Sequence, residues 1–288
     1  VADDLVRKLH ASLTANPPRT FRTGFRWLDR MTGGGLRSGD VSVVTAFSGY
    51  GKSAFLEQVA LEASTPKQAR VLFLPLEMGE AKTMRRLAAK IARCSEADFI
   101  STFRGQIDPL TAGALSERNL AVREPRPRRR VNVAKIAELI KADRPDIVMV
   151  DHVRELDGWL SDARNGHVGP TQICQQFEDL AHSENVHIML AAQLSSDSKG
   201  KRPDLWKPQD TVALEQIASL WIKLHRPFSG RKDDNVEMVI IAKNRYGPPN
   251  IAHPYRWEGT TASAFEFDEQ ALAEVERRLS PKAKVTPE

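Results

Sequence analysis

Two cysteines in 288 residues, Cys94 and Cys174, are too few and too far apart for a disulfide framework or a metal-ligand spacing. Such sparing use points to an intracellular protein. No apolar run reaches the length of a membrane span, so no membrane partner is expected. The opening VADDLVRKLH is charged from its third residue, so no secretory signal is expected; its first residue is Val, not Met, as expected of a fragment or a processed product. Aromatic residues are scarce at 7%, while 41% hydrophobic content still supplies a core for one large domain or two small ones. A net charge of +5 suits a polyanionic partner without demanding one. Five arginines crowd into REPRPRRR, Arg123 to Arg130, which reads as a flexible basic loop rather than a specific nucleic-acid site.

The hydrophobic pattern organises the rest. ADDLVRKLHASL sets Leu5, Leu9 and Leu13 four apart beside Val6, a narrow stripe on a short helix that TANPPRT then breaks. From Arg22 onward, apolar strands and helices alternate. VSVVTAF, ARVLFLPLE, DIVMVDHV, VHIMLAAQL, ASLWIKLHRP and VEMVIIAKNR read as strands. KSAFLEQVALEAS, EAKTMRRLAAKIAR, VAKIAELIKAD and QICQQFEDLAHSEN read as helices between them. Continuous apolar strands separated by helices predict an α/β fold with a mostly parallel central sheet and helices on both faces. The expected division is a linker helix and Pro-rich hinge over residues 1–20, the main domain over 21–262, and a polar tail over 263–288.

TAFSGYGKSAF is one residue short of a phosphate-binding loop: Ala46 stands where the pattern G-x-x-x-x-G-K-[ST] has its first Gly. The working end is complete. Ser48, Gly49, Tyr50, Gly51, Lys52, Ser53 and Ala54 form a turn between a strand and a helix, where backbone N–H groups and the helix terminus attract phosphate. Gly49 and Gly51 allow the close approach, Lys52 reaches the β- and γ-phosphates, and the Ser53 hydroxyl suits Mg2+. Ala46 only has to turn the chain out of the strand, which it can do with ordinary backbone angles. The expected cofactors are ATP, or another NTP, and Mg2+.

Ligands of open α/β sheets lie beyond the carboxyl ends of the strands. Three apolar runs end there in Glu77, Asp151 and Gln193. Asp151 suits the magnesium shell, Glu77 a base that polarises the attacking water, and Gln193 a sensor of the γ-phosphate. IIAKNRYG adds Lys243 and Arg245, one residue apart and so on one side of a strand end, where they suit charge stabilisation in phosphoryl transfer. The sequence leaves open whether they serve their own site or a neighbour's.

Taken together, TGFRWLDRMTGGGLRSGDVSVVTA, SGYGKSAF, LPLEM, IVMVDHV, AAQLS, ALEQIAS and IIAKNRYG resemble the RecA-like ATPase domain of DnaB-type hexameric replicative helicases, including phage primase-helicases, from about Phe21 to Gly247. The resemblance implies a RecA-like P-loop NTPase core in a six-membered ring with ATP between subunits. It implies Glu77 as catalytic base, Gln193 as polar sensor, and Lys243 with Arg245 acting on the neighbour's γ-phosphate. Single-stranded DNA is the implied substrate, primase or other replication proteins are implied partners, and the setting is a bacterial or phage-infected cytoplasm or an organelle nucleoid. The Leu5/Leu9/Leu13 stripe is similar in position to the linker helix that packs on the adjacent subunit.

One departure bears on DNA. The family's D-L-R-x-S-G segment before its E-Q becomes QDTVALEQ here: Asp210 precedes Glu215 and Gln216, and the Arg and Ser-Gly are lost. DNA contact then moves upstream to Lys199, Lys201, Arg202 and Lys207, whose side chains would track a phosphate backbone, although lysine-rich surface loops are also simply well solvated. The leading reading is an ATP-driven helicase that translocates on single-stranded DNA and unwinds duplex during replication. The alternatives are a RecA-like, DNA-associated ATPase that remodels complexes without unwinding, and a nucleotide-binding scaffold.

Overall fold

The computed structural model describes residues 2–15, 18–104, 106–125, 131–160, 169–199, 201, 203, 206–209, 212–228 and 235–279. After helix α1 (Ala2–Ala15), strands β1 (Thr20–Phe21) and β2 (Leu36–Arg37) pair antiparallel around α2 (Arg26–Met31). The main sheet follows: β3 (Val41–Ala46), β4 (Val71–Pro75), β5 (Leu120–Val122), β6 (Ile147–Asp151), β7 (His187–Gln193), β8 (Leu220–His225), β9 (Val236–Asn244), β10 (Ile251–Glu258) and β11 (Ser263–Phe265). Its nine strands lie in the order β11-β10-β9-β8-β3-β7-β6-β4-β5. All pairs from β5 to β8 are parallel, and β9, β10 and β11 extend the sheet antiparallel.

The parallel strands are apolar throughout because both faces are covered. Successive side chains point to opposite faces. Val44, Phe73, Met149 and Met189 join Phe55, Leu56 and Val59 of α3 (Lys52–Ala63) in one core. Their neighbours Val43, Leu72, Val148 and Ile188 join a second core on the other face. That core holds Ile136 and Ile140 of α7 (Val133–Asp143), Phe177 of α8 (Pro170–Glu184) and Leu214 of α9 (Ala213–Ile217). Between β4 and β5 run α4 (Glu80–Ile91), α5 (Glu96–Phe103) and α6 (Pro109–Ser116).

Two regions differ from the pattern-based expectation. Residues 263–279, expected as the start of a polar tail, form β11 and α10 (Glu269–Leu279). Val275 is the buried residue of α10, packed with Phe228 and Val236, and Leu279 of the same helix packs against this small cluster, which anchors a largely charged helix. Helix α1 forms as the Leu5/Leu9 spacing predicts, but Leu5, Val6 and Leu9 are 71%, 55% and 57% exposed. Arg126 to Arg130 of the basic run, together with Arg202 and Asp210, lie outside the described residues. Among the described residues no helix is long and apolar enough to cross a membrane.

Candidate active site

Strand β3 ends at Ala46, fully buried and aligned with Gln193 at the end of β7. Ala46 is not among the residues with positive φ, so the residue in place of the first glycine turns without strain. Gly49 and Gly51 both hold φ of 79°, and Gly51 caps α3, whose first turn starts at Lys52. The first N–H groups of a helix have no intrahelical partner, and here they belong to the phosphate loop. A cavity of about 520 Å³ opens over this loop. Ser48, Gly49, Gly51, Lys52, Ser53 and Ala54 line one side, and Glu77 and Gln193 line another. Tyr50 turns away from the cavity and stacks on His225, with ring centres 6.3 Å apart.

Glu77 lies two residues past the end of β4, and its backbone N–H donates to the Asp151 carbonyl at 3.1 Å. The parallel register of β4 on β6 therefore brings the two acids to the same edge. Asp151 is 1% exposed, and its Oδ1 has no hydrogen-bond partner. Burial raises its pKa, while the Lys52 ammonium and a hydrogen bond from Ser53 oppose the shift. An orphaned carboxylate oxygen beside a serine hydroxyl is the donor set magnesium takes when phosphates complete its shell. No cluster of three or more His, Cys, Asp or Glu side chains suited to a metal occurs among the described residues, so a dedicated protein cage is absent from them.

Several groups at this cavity escaped the reading of strand ends. Arg86 of α4 lines it; its Nε lies 2.7 Å from Glu57 Oε1, and its Nη2 donates to Glu57 Oε2 at 3.0 Å. Glu57 is fully buried in α3, and the Lys90 Nζ approaches its Oε2 at 3.6 Å. Lys90 also donates to the carbonyls of Thr261 and Ala262 in the β10–β11 turn, and Ala262 is itself at the cavity. Burial pulls the Lys90 ammonium down to about 8. His152, also at the cavity, is pushed by burial to about 3 and is a neutral imidazole. Across the cavity, the Arg226 guanidinium lies 3.8 Å over the Trp257 ring. Arg226 was findable, since it lies just past the carboxyl end of β8, a parallel strand like β4. Trp257 sits on an antiparallel strand that carried no such signal.

Lys243 and Arg245 do not join this cavity. Strand β9 runs antiparallel to β8, with Asn244 opposite Leu220 and Met238 opposite His225. The end of β9 therefore lies at the start of β8, on the sheet edge away from the phosphate loop. There the Lys243 Nζ donates to the carbonyls of Glu215 and Gln216 at 2.7 and 2.9 Å, and Arg245 Nη2 lies 3.8 Å from Glu178 Oε1. Lys199, Lys201 and Lys207 stand exposed on the segment that leaves Gln193 and returns to it at Gln209.

A profile of the DnaB-like helicase C terminal domain matches residues 20–263. The replicative DNA helicase DnaB of Geobacillus stearothermophilus is 27% identical over 282 residues, covering 92% of this chain and 58% of that protein. The replicative DNA helicase DnaC of Bacillus subtilis is 27% identical over 275 residues, covering 89% and 57%. The chain thus spans somewhat over half the length of these curated relatives. Among solved structures, an ATPase domain superposes with a TM-score of 0.75 at 22% identity, over 93% of this chain and 99% of that one. A DnaB-like replicative helicase, solved to show its interactions with primase, gives 0.76 at 22% identity, over 93% and 67%. The fold is RecA-like, and the chain belongs to the DnaB-like helicase C-terminal domain family.

Proposed function

We propose that this chain is the ATP-hydrolysing motor of a ring-forming helicase that moves on single-stranded DNA and unwinds duplex. The observation that carries the proposal is the division of the charged groups between opposite edges of one sheet. The phosphate loop, Glu77, Asp151 and Gln193 occupy one edge, while Lys243 and Arg245 occupy the other. The nine residues of β9 at about 3.3 Å each span roughly 30 Å, beyond the reach of any side chain. A second copy can supply the missing cations, and repeating that contact from copy to copy closes a ring.

In this reading Lys52 would hold the β- and γ-phosphates, and Ser53 and Asp151 would hold Mg2+, which when bound would supply positive charge to the phosphates. Glu77 orients and polarises the attacking water. Gln193 hydrogen-bonds the γ-phosphate, and Lys243 and Arg245 of the next copy stabilise the charge that develops on it. The flat face of the Arg226–Trp257 pair suits a nucleobase. The exposed Lys199, Lys201 and Lys207 suit the DNA backbone, and the open Leu5/Val6/Leu9 face of α1 suits an adjacent subunit. Primase is a candidate partner because a helicase of this fold has been solved to show its interactions with primase.

The test mixes two inactive variants. Lys52→Ala removes phosphate binding, and Arg245→Ala removes the donated cation. Each alone abolishes ATP hydrolysis, and mixed rings regain part of it, because an intact loop then meets an intact Arg245. No recovery in mixed rings overturns the shared site. Single-stranded DNA is expected to stimulate hydrolysis, and a forked duplex to be unwound. Stimulation without unwinding would replace the helicase by a DNA-associated ATPase.

A further inference from the structure

An aromatic cage joins the phosphate loop to the lysine-bearing segment. Phe47, the first residue after β3, lines the nucleotide cavity and meets the Trp206 ring edge-on at 5.1 Å. Phe47 also meets Tyr50 of the same loop at 5.7 Å. Trp206 contacts His225, at the end of β8, at 4.9 Å, and Tyr50 stacks on the same imidazole. Trp206 is 3% exposed, although it lies in a surface segment between Gln193 and α9.

The backbone of that segment is fastened at both ends. The Leu194 N–H donates to the Ala46 carbonyl at 3.0 Å, so the segment leaves from the root of the phosphate loop. It returns through an antiparallel bridge between Leu194 and Pro208, with Ser195 N–H to Lys207 carbonyl at 3.0 Å and Gln209 N–H to Gln193 carbonyl at 2.8 Å. Inside, the Trp206 indole N–H donates to the Lys201 carbonyl at 2.9 Å. The buried Lys223 ammonium of β8 donates to the Pro203 carbonyl at 2.9 Å. Lys201 and Lys207 are thus held on either side of one indole, and that indole rests on a residue of the phosphate loop.

We infer that Trp206 is a positioning residue that couples occupancy of the phosphate loop to the placement of Lys199, Lys201 and Lys207. The inference rests on the helicase reading for the ligand of those lysines, but the contact between Trp206 and Phe47 does not. Phosphate bound by the Ser48–Ser53 backbone fixes the loop that starts at Phe47. A close-packed aromatic contact transmits a shift because it has no free volume to absorb it. Each bound nucleotide therefore selects one arrangement of the lysine segment.

Two readouts on the whole chain test this. In the first, the Trp206 fluorescence, taken as wild type minus Trp206→Phe, is followed while a non-hydrolysable ATP analogue and Mg2+ are added. A saturable change is expected, and a flat difference signal overturns the coupling. In the second, ATP turnover is measured with and without single-stranded DNA. Trp206→Ala is expected to keep the DNA-free rate and lose about fivefold or more of the stimulation, the low end of ordinary coupling between sites. Trp206→Phe, which restores an aromatic contact with Phe47, is expected to recover most of it. Unchanged stimulation in Trp206→Ala overturns the inference. If wild type shows no stimulation at all, the helicase reading fails, and the fluorescence change alone decides whether Trp206 follows the phosphate loop.

Discussion

Glu237 offers the sharpest test of the charge arrangement beneath the phosphate loop. Its side chain, on β9, is 1% exposed, and neither carboxylate oxygen has a hydrogen-bond partner. Arg226 Nη2 is 3.9 Å away, near enough to attract but too far to hydrogen-bond. Burial therefore outweighs the attraction of Arg226 and Lys90, and the carboxyl is pushed up from 4.5 to about 7. A group whose folded pKa exceeds its unfolded one gives stability that is complete below the unfolded value and is lost as pH rises through the folded value. Here the loss runs from about pH 4.5 to pH 7 and is complete by pH 8.

Between pH 5 and pH 8 the change is about two pKa units, or about 3 kcal/mol at 1.36 kcal/mol per unit. Glu237→Gln keeps the shape and cannot ionise, so it should match wild type near pH 5 and exceed it by about that amount at pH 8. At 2–4 °C per kcal/mol for a chain of this size, the Tm difference grows by about 5–10 °C across the range. His187 and His152, pushed down by burial to about 4 and about 3, lower stability as pH falls below the ordinary histidine range. Both are present in variant and wild type, so they cancel in the difference. Thermal melts of the two proteins at pH 5, 6, 7 and 8 make the measurement. Parallel Tm profiles would refute the reasoning and would mean that Glu237 is solvated or paired when ionised.

Three further outcomes are expected. Arg86→Met leaves Glu57 buried with Lys90 as its remaining close cation, and urea unfolding should show a loss of about 3–5 kcal/mol, part of which the double variant with Glu57→Met recovers. Leu56→Ala opens a cavity under α3, where Leu56 is fully buried, and should cost about 2–5 kcal/mol by the same assay. Gly247→Ala would drive a Cβ into the Met31 carbonyl oxygen, well inside contact distance. The turn after Arg245 must then move, and kcat for ATP should fall while KM stays near its wild-type value.

Strands β3, β4, β6 and β7 were legible because they are buried on both faces and so read as unbroken apolar runs, whereas the parallel edge strand β5 is three residues long and only partly buried and was not. Strand β10 was not, since it mixes Ile251, Tyr255 and Trp257 with His253, Pro254, Arg256 and Glu258, and lies towards the antiparallel edge of the sheet. Glu77, Asp151 and Gln193 could be placed together at one edge of the sheet because the rule about strand ends needs only direction, and parallel strands share it. The edge occupied by Lys243 and Arg245 needed a pairing direction as well. A clue was present: the ten residues 226–235 between β8 and β9 are short for a parallel crossover. The Glu57, Arg86, Lys90 and Glu237 cluster could not be read, because α3, α4 and β9 bring it together only in three dimensions.

The far edge of the sheet separates a rigid base from a free tip. The Asn244 amide donates to the Met31 carbonyl at 2.9 Å, and the Tyr246 N–H donates to Asn244 Oδ1 at 3.0 Å. The Tyr246 hydroxyl reaches Asp40 Oδ1 at 3.2 Å, and the Arg37 guanidinium covers its ring at 3.9 Å. The residues on either side of Arg245 are thus fixed to α2 and to the chain around β2. The Arg245 guanidinium itself has a 3.8 Å contact with Glu178, and its side chain is 42% exposed. An ion pair of that kind contributes about 0–1 kcal/mol. Moving Arg245 from Glu178 to a phosphoryl group therefore costs little, while the fixed backbone sets where it can arrive. If Arg245 serves another copy's site as proposed, that combination would set its position before the partner binds and would release its charge on contact with a stronger anion.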